Sequence, residues 1–185
     1  MKHLIKKMVP VAAVILLTAC GDDTATKGEM GEHDGHEDMK MEETQAPVST
    51  SPVLKDEKLN AVYQHYVHLT TALTNSDMGE AKIAANAIEA GAREVSGAEA
   101  VAASASKITA AADLETQRKH YEDMSNAMIT MLKKDGLSNG EVYVQYCPMA
   151  FNDKGASWIS SSKEIRNPYF GDKMMNCGEV KETIQ

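Results

Sequence analysis

Apolar side chains recur with helical spacing between residues 55 and 134. From Asp56 to Asn75 they keep to the i, i+3, i+4 and i+7 spacing of one buried helix face, at Leu59, Val62, Tyr63, Tyr66, Leu69 and Leu73. This spacing predicts a first helix. A second helix is predicted from an N-cap at Asn75 or Ser76 to about Val95, and its stripe of mostly small side chains is typical of close helix packing.

Two further helices are predicted along the chain. Residues 97–111 are rich in Ala and carry a sparse apolar pattern, which indicates a short third helix. Asp113 is a suitable N-cap for a fourth helix that continues to Lys134, because Lys133 and Lys134 suit its negative end and Gly136 can end it. The methionines on this helix are interpreted as core side chains.

The pattern changes again after Gly140. Residues 141–146 alternate and contain β-branched and aromatic side chains, which predicts a short strand, and residues 155–159 are a candidate for a second. The rest of the C-terminal segment carries turn signals and is predicted to be irregular, with Trp158, Tyr169 and Phe170 packing on the helices. The predicted fold is mostly α. It is a small up-and-down bundle of about four helices with an irregular C-terminal segment containing one or two short strands.

The N-terminal residues show the features of a secretory leader. Residues 1–19 have a basic start and an apolar stretch from Val11 to Leu17, as in a signal peptide. The segment Leu17-Thr18-Ala19-Cys20 resembles a lipoprotein signal-peptidase box, in which the Cys20 thiol receives the lipid. We therefore expect an extracytoplasmic protein that is anchored by lipid at Cys20 in the outer membrane, on its periplasmic face or at the cell surface.

Residues 20–54 are predicted to form a tether. They are rich in Gly, Thr, Ser, Pro and acidic residues, and cannot bury enough apolar surface to offset the entropy of ordering. Thioether and imidazole side chains stand among the acidic ones, at Met30, His33, His36, Met39 and Met41. These groups suit copper, so a weak metal-collecting segment is one interpretation and a solvated acidic linker is the other. The folded part is expected to span residues 55–185.

Composition and charge exclude several classes of function. The 185-residue chain has 19 basic and 27 acidic residues, a formal net charge of -8 at pH 7. This charge opposes attraction to nucleic acid, which is therefore not an expected partner. The sequence has no Gly-rich phosphate loop, no His-Glu-x-x-His motif and no nucleophile elbow, so neither an enzyme nor an organic cofactor is predicted.

Soft sulfur ligands are concentrated in two C-terminal motifs. Cys147-Pro148-Met149 is followed about thirty residues later by Met174-Met175-Asn176-Cys177. Thiolates and thioethers select Cu(I), so the candidate ligands of a copper site are Cys147, Met149, Met174, Met175 and Cys177. The alternative is a structural disulfide between the two cysteines, which is natural outside the cytoplasm and contributes roughly 3 to 4 kcal/mol in the chain-entropy model.

Three histidines of the helical region are weaker candidates for metal ligands. His65 and His68 are three residues apart on the first helix, a spacing that permits a shared metal. His120 lines up with Met124 and Met128 on the fourth helix. For all three, a histidine at the boundary of the core is the simpler interpretation.

The C-terminal segment resembles a known family. The stretches that carry the resemblance are Tyr143-Val144-Gln145-Tyr146-Cys147-Pro148-Met149-Ala150, Lys154-Gly155-Ala156-Ser157-Trp158-Ile159-Ser160, residues 163–174 and Cys177-Gly178-Glu179-Val180. Together they resemble a domain of unknown function that occurs in bacterial lipoproteins and is appended to periplasmic adaptor subunits of copper and silver efflux systems. The resemblance extends from about Leu59 to Ile184. It is looser in the helical part, where it rests on Tyr66 and on residues 117–121.

This resemblance implies metal handling through the sulfur ligands, with a heavy-metal efflux adaptor as a partner. It does not separate metal ligation from a reversible disulfide. We therefore expect a membrane-anchored binding protein for soft metal ions, copper above all, that scavenges the metal or hands it to an efflux system. The alternative is an interaction lipoprotein that docks on the efflux assembly and is stapled by a disulfide between Cys147 and Cys177.

Overall fold

The computed structural model describes residues 51–185 of the chain. The predicted signal peptide, the lipidation site at Cys20 and the tether lie outside the described residues, apart from the last four residues of the tether. This also holds for the candidate weak ligands of the tether, which are Met30, His33, His36, Met39 and Met41. No helix within residues 51–185 has the length and apolar character needed to cross a membrane.

Four long helices follow one another, as predicted from the apolar spacing. They are α1 (Glu57–Thr74), α2 (Met78–Ala92), α3 (Glu99–Ala110) and α4 (Leu114–Asp135). Each helix packs against the next one along the chain. Because the connections are short, neighbouring helices run in opposite directions. The predicted mostly α bundle of about four helices is confirmed.

Aspartates begin three of the four helices. Asp56, Asp77 and Asp113 each accept a hydrogen bond from the backbone N–H three residues further on, at 2.8, 2.9 and 2.7 Å. The cap at Asp113 is the predicted one. The second helix, however, begins after Asp77 and not after Asn75 or Ser76, because the Asn75 N–H still bonds to a carbonyl of α1 and Ser76 has a left-handed backbone.

Short antiparallel strands accompany the helices. They are β1 (Val53–Leu54), β2 (Leu137–Asn139), β3 (Val142–Cys147), β4 (Ala156–Ser160) and β5 (Glu179–Ile184). β1 pairs with β2, and β3 is the central strand of a sheet with β4 and β5 on either side. The predicted strands correspond to β3 and β4. The sheet has a third strand, β5, whose residues are all exposed except the last, so that it carries no apolar pattern to reveal it.

The C-terminal segment packs on the helices through aromatic side chains. Trp158 and Tyr169 are 1% and 6% exposed, and the partly buried Phe170 packs against the same core, as predicted. The Tyr169 ring lies 5.9 Å from the ring of Trp158 and 5.6 Å from that of Tyr121 in α4. The sheet and the bundle therefore share one hydrophobic core.

Tyr66 of α1 stands at the centre of a buried hydrogen-bond network. Its hydroxyl bonds to Ser125 at 2.7 Å and to Tyr121 at 2.9 Å, both in α4. The same oxygen accepts the backbone N–H of Ile159 in β4 at 3.1 Å. Burial raises the pKa of Tyr66 and keeps the hydroxyl neutral. One side chain thus joins two helices and the sheet.

Candidate functional site

The two C-terminal cysteines lie side by side. Cys147 ends β3, and Cys177 stands just before β5, whose Glu179 is opposite Tyr146 in the paired strands. Strand pairing therefore brings the two cysteines together, with 2.6 Å between their Sγ atoms. The separation needs little adjustment to reach the ~2.05 Å of a disulfide bond. Ligation of one shared ion at ~2.3 Å from each sulfur requires the two sulfurs to move apart by more than about 1 Å, to reach at least a tetrahedral angle at the ion.

The two sulfur atoms differ in their surroundings. Cys147 is 0% exposed and belongs to the hydrophobic core, whereas Cys177 is partly exposed at the edge of that core. Burial, together with the hydrogen bond to Cys147, raises the pKa of the Cys177 thiol to about 11. Of the two cysteines, only Cys177 is therefore partly exposed to solvent.

The three candidate thioether ligands lie on the segments that carry the cysteines. Met149 is two residues after Cys147, and its side chain is 47% exposed. Met174 and Met175 are partly buried, and the Cys177 N–H bonds to the carbonyl of Met174 at 3.1 Å. The backbone thus places all three methionines within a few residues of the sulfur pair.

A buried asparagine fixes the loop that carries Cys177. Asn167 is 0% exposed, and its Nδ2 donates a 2.7 Å hydrogen bond to the Cys177 carbonyl. Its Oδ1 accepts the N–H groups of Tyr169 and Phe170 at 2.8 and 3.3 Å, and its own N–H bonds to the Met175 carbonyl. Sequence reasoning missed this role, because Asn before Pro168 is an ordinary turn signal and nothing local shows that the amide is buried.

Arg118 of α4 holds the same loop from the other side. Its side chain is largely buried and donates from Nε to the Pro168 carbonyl at 2.7 Å. Nη2 donates to the Leu73 carbonyl at 2.9 Å and to the Ser76 hydroxyl at 3.1 Å. Burial lowers the pKa of Arg118. The cation therefore joins the C-terminal end of α1, where the helix dipole favours positive charge, to the loop that leads to Cys177.

Gly178 allows the chain to pass close to the sheet. Its φ is +146°, a value that other residues rarely adopt. A Cβ at this position would lie 2.9 Å from Trp158 and 3.0 Å from the Tyr146 carbonyl oxygen. A glycine directly after Cys177 is therefore required for the close approach of the two cysteine segments.

The contacts of the helical-region histidines are with other helix residues and not with the cysteine pair. His65 is exposed, and Nε2 of His68 lies 2.9 Å from Oε1 of Glu80 in α2. His120 is partly buried, with its Nδ1 3.8 Å from an Asp123 carboxylate oxygen. Across residues 51–185, no group of three or more His, Cys, Asp or Glu side chains is arranged to hold a metal ion.

The side chains of Met124 and Met128 pack in the hydrophobic core and are not arranged as metal ligands with His120. Both are 0% exposed and belong to the hydrophobic cluster between the helices. This agrees with their interpretation as core side chains, since the flexible thioether fills irregular gaps well.

Comparison with known proteins gives a match for part of the chain. No curated protein and no solved structure matches the chain. The matched part runs from α1 to β2, less than half of the chain, and ends before Cys147, so it does not bear on the cysteine pair. Residues 62–140 match the family model described as protein of unknown function (DUF3347).

Proposed function

We propose that this protein is a membrane-anchored, extracytoplasmic binding protein for soft metal ions, with Cu(I) as its preferred ion. The observation that carries the proposal is the contact between Cys147 and Cys177, whose sulfur atoms are 2.6 Å apart. Two adjacent thiolates form a strong soft ligand pair, and Cu(I) is satisfied by two or three such ligands.

Methionine completes the proposed site. Met149 and either Met174 or Met175 supply a thioether from the segments on each side of the cysteine pair. Thioether sulfur adds little for Zn²⁺ but suits a monovalent soft ion, so this ligand set favours copper. The exposed Met149 side chain stands on the solvent side, where an arriving ion meets it first.

The biological role follows from the resemblance of the sequence and from the predicted anchor. The lipid at Cys20 holds the protein at the membrane, and the tether with Met30, His33, His36, Met39 and Met41 collects ions weakly. The folded domain then scavenges copper or hands it to the periplasmic adaptor of an efflux system. No catalytic step is required of the protein.

The proposal is tested by the Cu(I) affinity of the reduced mature protein, measured without oxygen in competition with a chromophoric chelator. We expect Cys147→Ser or Cys177→Ser to abolish tight binding, and Met149→Leu or Met175→Leu to weaken it at nearly constant side-chain volume. Met78→Leu is the matched control, because Met78 is 37% exposed on α2 and has no role in the site. Tight binding that survives either Cys→Ser substitution would contradict the proposal.

A second candidate function is an interaction lipoprotein in which the two cysteines form a structural disulfide. It is favoured by the short distance between the sulfurs and by the lack of a third His, Cys, Asp or Glu ligand beside them in residues 51–185. In that case, mass spectrometry of the protein as isolated shows a mass lower by two hydrogen atoms in every preparation. Both Cys→Ser variants then lose similar stability, and neither Met→Leu variant changes metal binding.

A further inference from the structure

We propose that the cysteine pair is a site of thiol–disulfide exchange in which Cys177 reacts with external low-molecular-weight thiols and disulfides, and Cys147 is the resolving sulfur. The inference concerns the same two residues as the proposed function. It adds a reaction that the pair can perform whether or not it binds a metal.

The first step of the argument is the difference in exposure. Cys147 is 0% exposed and lies in the core with Trp158 and Tyr169, so an external reagent cannot reach its sulfur in the folded state. Cys177 is partly exposed and is preceded by the exposed Asn176. Thiol–disulfide exchange requires a nearly linear approach to the sulfur that is attacked, so access decides which sulfur reacts.

The second step is the proximity of the two sulfurs. At 2.6 Å, the Cys147 sulfur can attack Cys177 without any movement of the backbone. The Cys177 segment is held in place by the Asn167 amide and by the close passage of Gly178 over Trp158. A mixed disulfide at Cys177 is therefore formed beside its own resolving thiol.

Oxidation and reduction of the cysteine pair each consist of two exchange steps. In oxidation, the Cys177 thiolate attacks an external disulfide RSSR, forms a Cys177–SR bond and releases one RS⁻. The Cys147 thiolate then attacks Cys177, forms the intramolecular disulfide and releases the second RS⁻, so two electrons pass from the protein to RSSR. In reduction, an external thiolate attacks Cys177 of the disulfide, forms Cys177–SR, and Cys147 leaves as the thiolate. A second external thiolate then attacks the SR sulfur of this mixed disulfide, forms RSSR and releases the Cys177 thiolate, so two electrons pass from the external thiols to the protein.

Exchange at this site regulates the metal site, a consequence that rests on the proposed function. Either the mixed disulfide or the intramolecular disulfide removes thiolate ligands, so the oxidised protein loses tight Cu(I) binding. An external thiol that reduces the pair restores both ligands. The redox state of the compartment then sets the fraction of protein able to bind the ion.

The test uses two single-cysteine variants of the mature chain, Cys147→Ala and Cys177→Ala, each with Cys20→Ala so that no other thiol reacts. The folded proteins are incubated with oxidised glutathione, and mixed-disulfide formation is followed by mass spectrometry. We expect Cys177 in the first variant to react at least about tenfold faster than Cys147 in the second. The same measurement in concentrated urea is the control, since unfolding exposes both sulfurs and should make the two rates similar.

A second measurement uses the protein with both C-terminal cysteines, so that its result does not depend on the folding of either variant. The reduced protein with both C-terminal cysteines is treated briefly with a small amount of oxidised glutathione, quenched with acid and digested. The expected products are the intramolecular disulfide and, where the quench traps the intermediate before Cys147 displaces glutathione, an adduct on the peptide that contains Cys177. An adduct mainly on Cys147, or equal rates in the folded variants, would overturn the proposal. Failure of Cu(I) binding with selective exchange retained would contradict only the proposed function.

Discussion

The side-chain amide of Asn167 donates a 2.7 Å hydrogen bond to the carbonyl of Cys177, and so a buried polar group holds one sulfur of the pair against the other. The same side chain accepts two backbone N–H groups through Oδ1. Without it, all three backbone groups lose their partner. The position of Cys177 therefore depends on a residue ten positions earlier in the chain.

Substitution of this asparagine is expected to destabilise the protein strongly. Asn167→Leu has a similar volume but removes three hydrogen bonds, and we expect a loss of about 2 to 4 kcal/mol in the free energy of unfolding, measured by urea denaturation. Asn167→Asp keeps the two acceptor bonds but buries a carboxylate oxygen against the Cys177 carbonyl oxygen, so at neutral pH its loss should be at least as large. Asn126→Leu, at an exposed position of α4, is the control and should change stability by less than about 0.5 kcal/mol. Equal losses for the buried and exposed positions would show that the loop is not held in this way.

The two tyrosines of α1 offer a second prediction. The Tyr66 hydroxyl has three partners, whereas the Tyr63 hydroxyl is buried without a hydrogen-bond partner among the described residues. We expect Tyr66→Phe to lower the free energy of unfolding by about 1 to 3 kcal/mol, because the Ile159 N–H and the Ser125 hydroxyl are left unsatisfied.

Tyr63→Phe is the matched control in the same helix. It removes an unpaired buried hydroxyl, so thermal unfolding should show unchanged or slightly higher stability. Tyr63→Phe would be as harmful as Tyr66→Phe only if its hydroxyl also had a partner, and that result would contradict the assigned network.

The helices could be predicted because their signals are local. The apolar stripe of α1 and the cap at Asp113 depend on residues within one or two helical turns, and a 3.6-residue period is visible over 18 or more positions. The predicted start of α2 lies one or two residues too early, because Asn75, Ser76 and Asp77 are all residue types that favour an N-cap. Only the last hydrogen bonds of α1 decide among them.

The arrangement around the cysteines depends on distant contacts and could be predicted only in part. The sequence identifies Cys147 and Cys177 as chemically matched, but their convergence results from the pairing of β3 with β5. All residues of β5 except the last are exposed, so its sequence gives no apolar pattern that predicts a strand. Asn167 and Arg118 are buried because they bond to residues up to 50 positions away. The spacing of apolar residues within one element does not indicate such contacts.

The predicted lipid anchor gives a third test, at a residue outside the described part of the chain. Cys20→Ala removes the thiol that receives the lipid, so the protein should move from the membrane fraction to the soluble fraction. The measurement is cell fractionation followed by a high-salt wash, with Cys177→Ala as the control that keeps the anchor. A Cys20→Ala protein that still sediments with membranes after the wash would contradict lipid anchoring.

The last prediction concerns the pH dependence of Cys177 in the reduced, metal-free protein. Burial and the hydrogen bond to Cys147 raise its pKa from the usual 9.0 to about 11, so the folded state favours the protonated thiol. Because only the thiolate reacts with iodoacetamide, the rate of alkylation should rise about tenfold per pH unit and continue to rise past pH 9, to level off near pH 11. In concentrated urea the same residue should level off near its usual pKa of 9.0.

The raised pKa of Cys177 also predicts how the free energy of unfolding changes with pH. A pKa that is higher in the folded state contributes stability that is fully present below pH 9 and is lost as the pH rises through about 11. The reduced protein should therefore become easier to unfold in this window, as measured by urea denaturation at several pH values. The disulfide form is the control, because it has no thiol at Cys177 and lacks this dependence. An alkylation rate in the folded protein that levels off at or below pH 9 would show that neither burial nor Cys147 perturbs the Cys177 thiol.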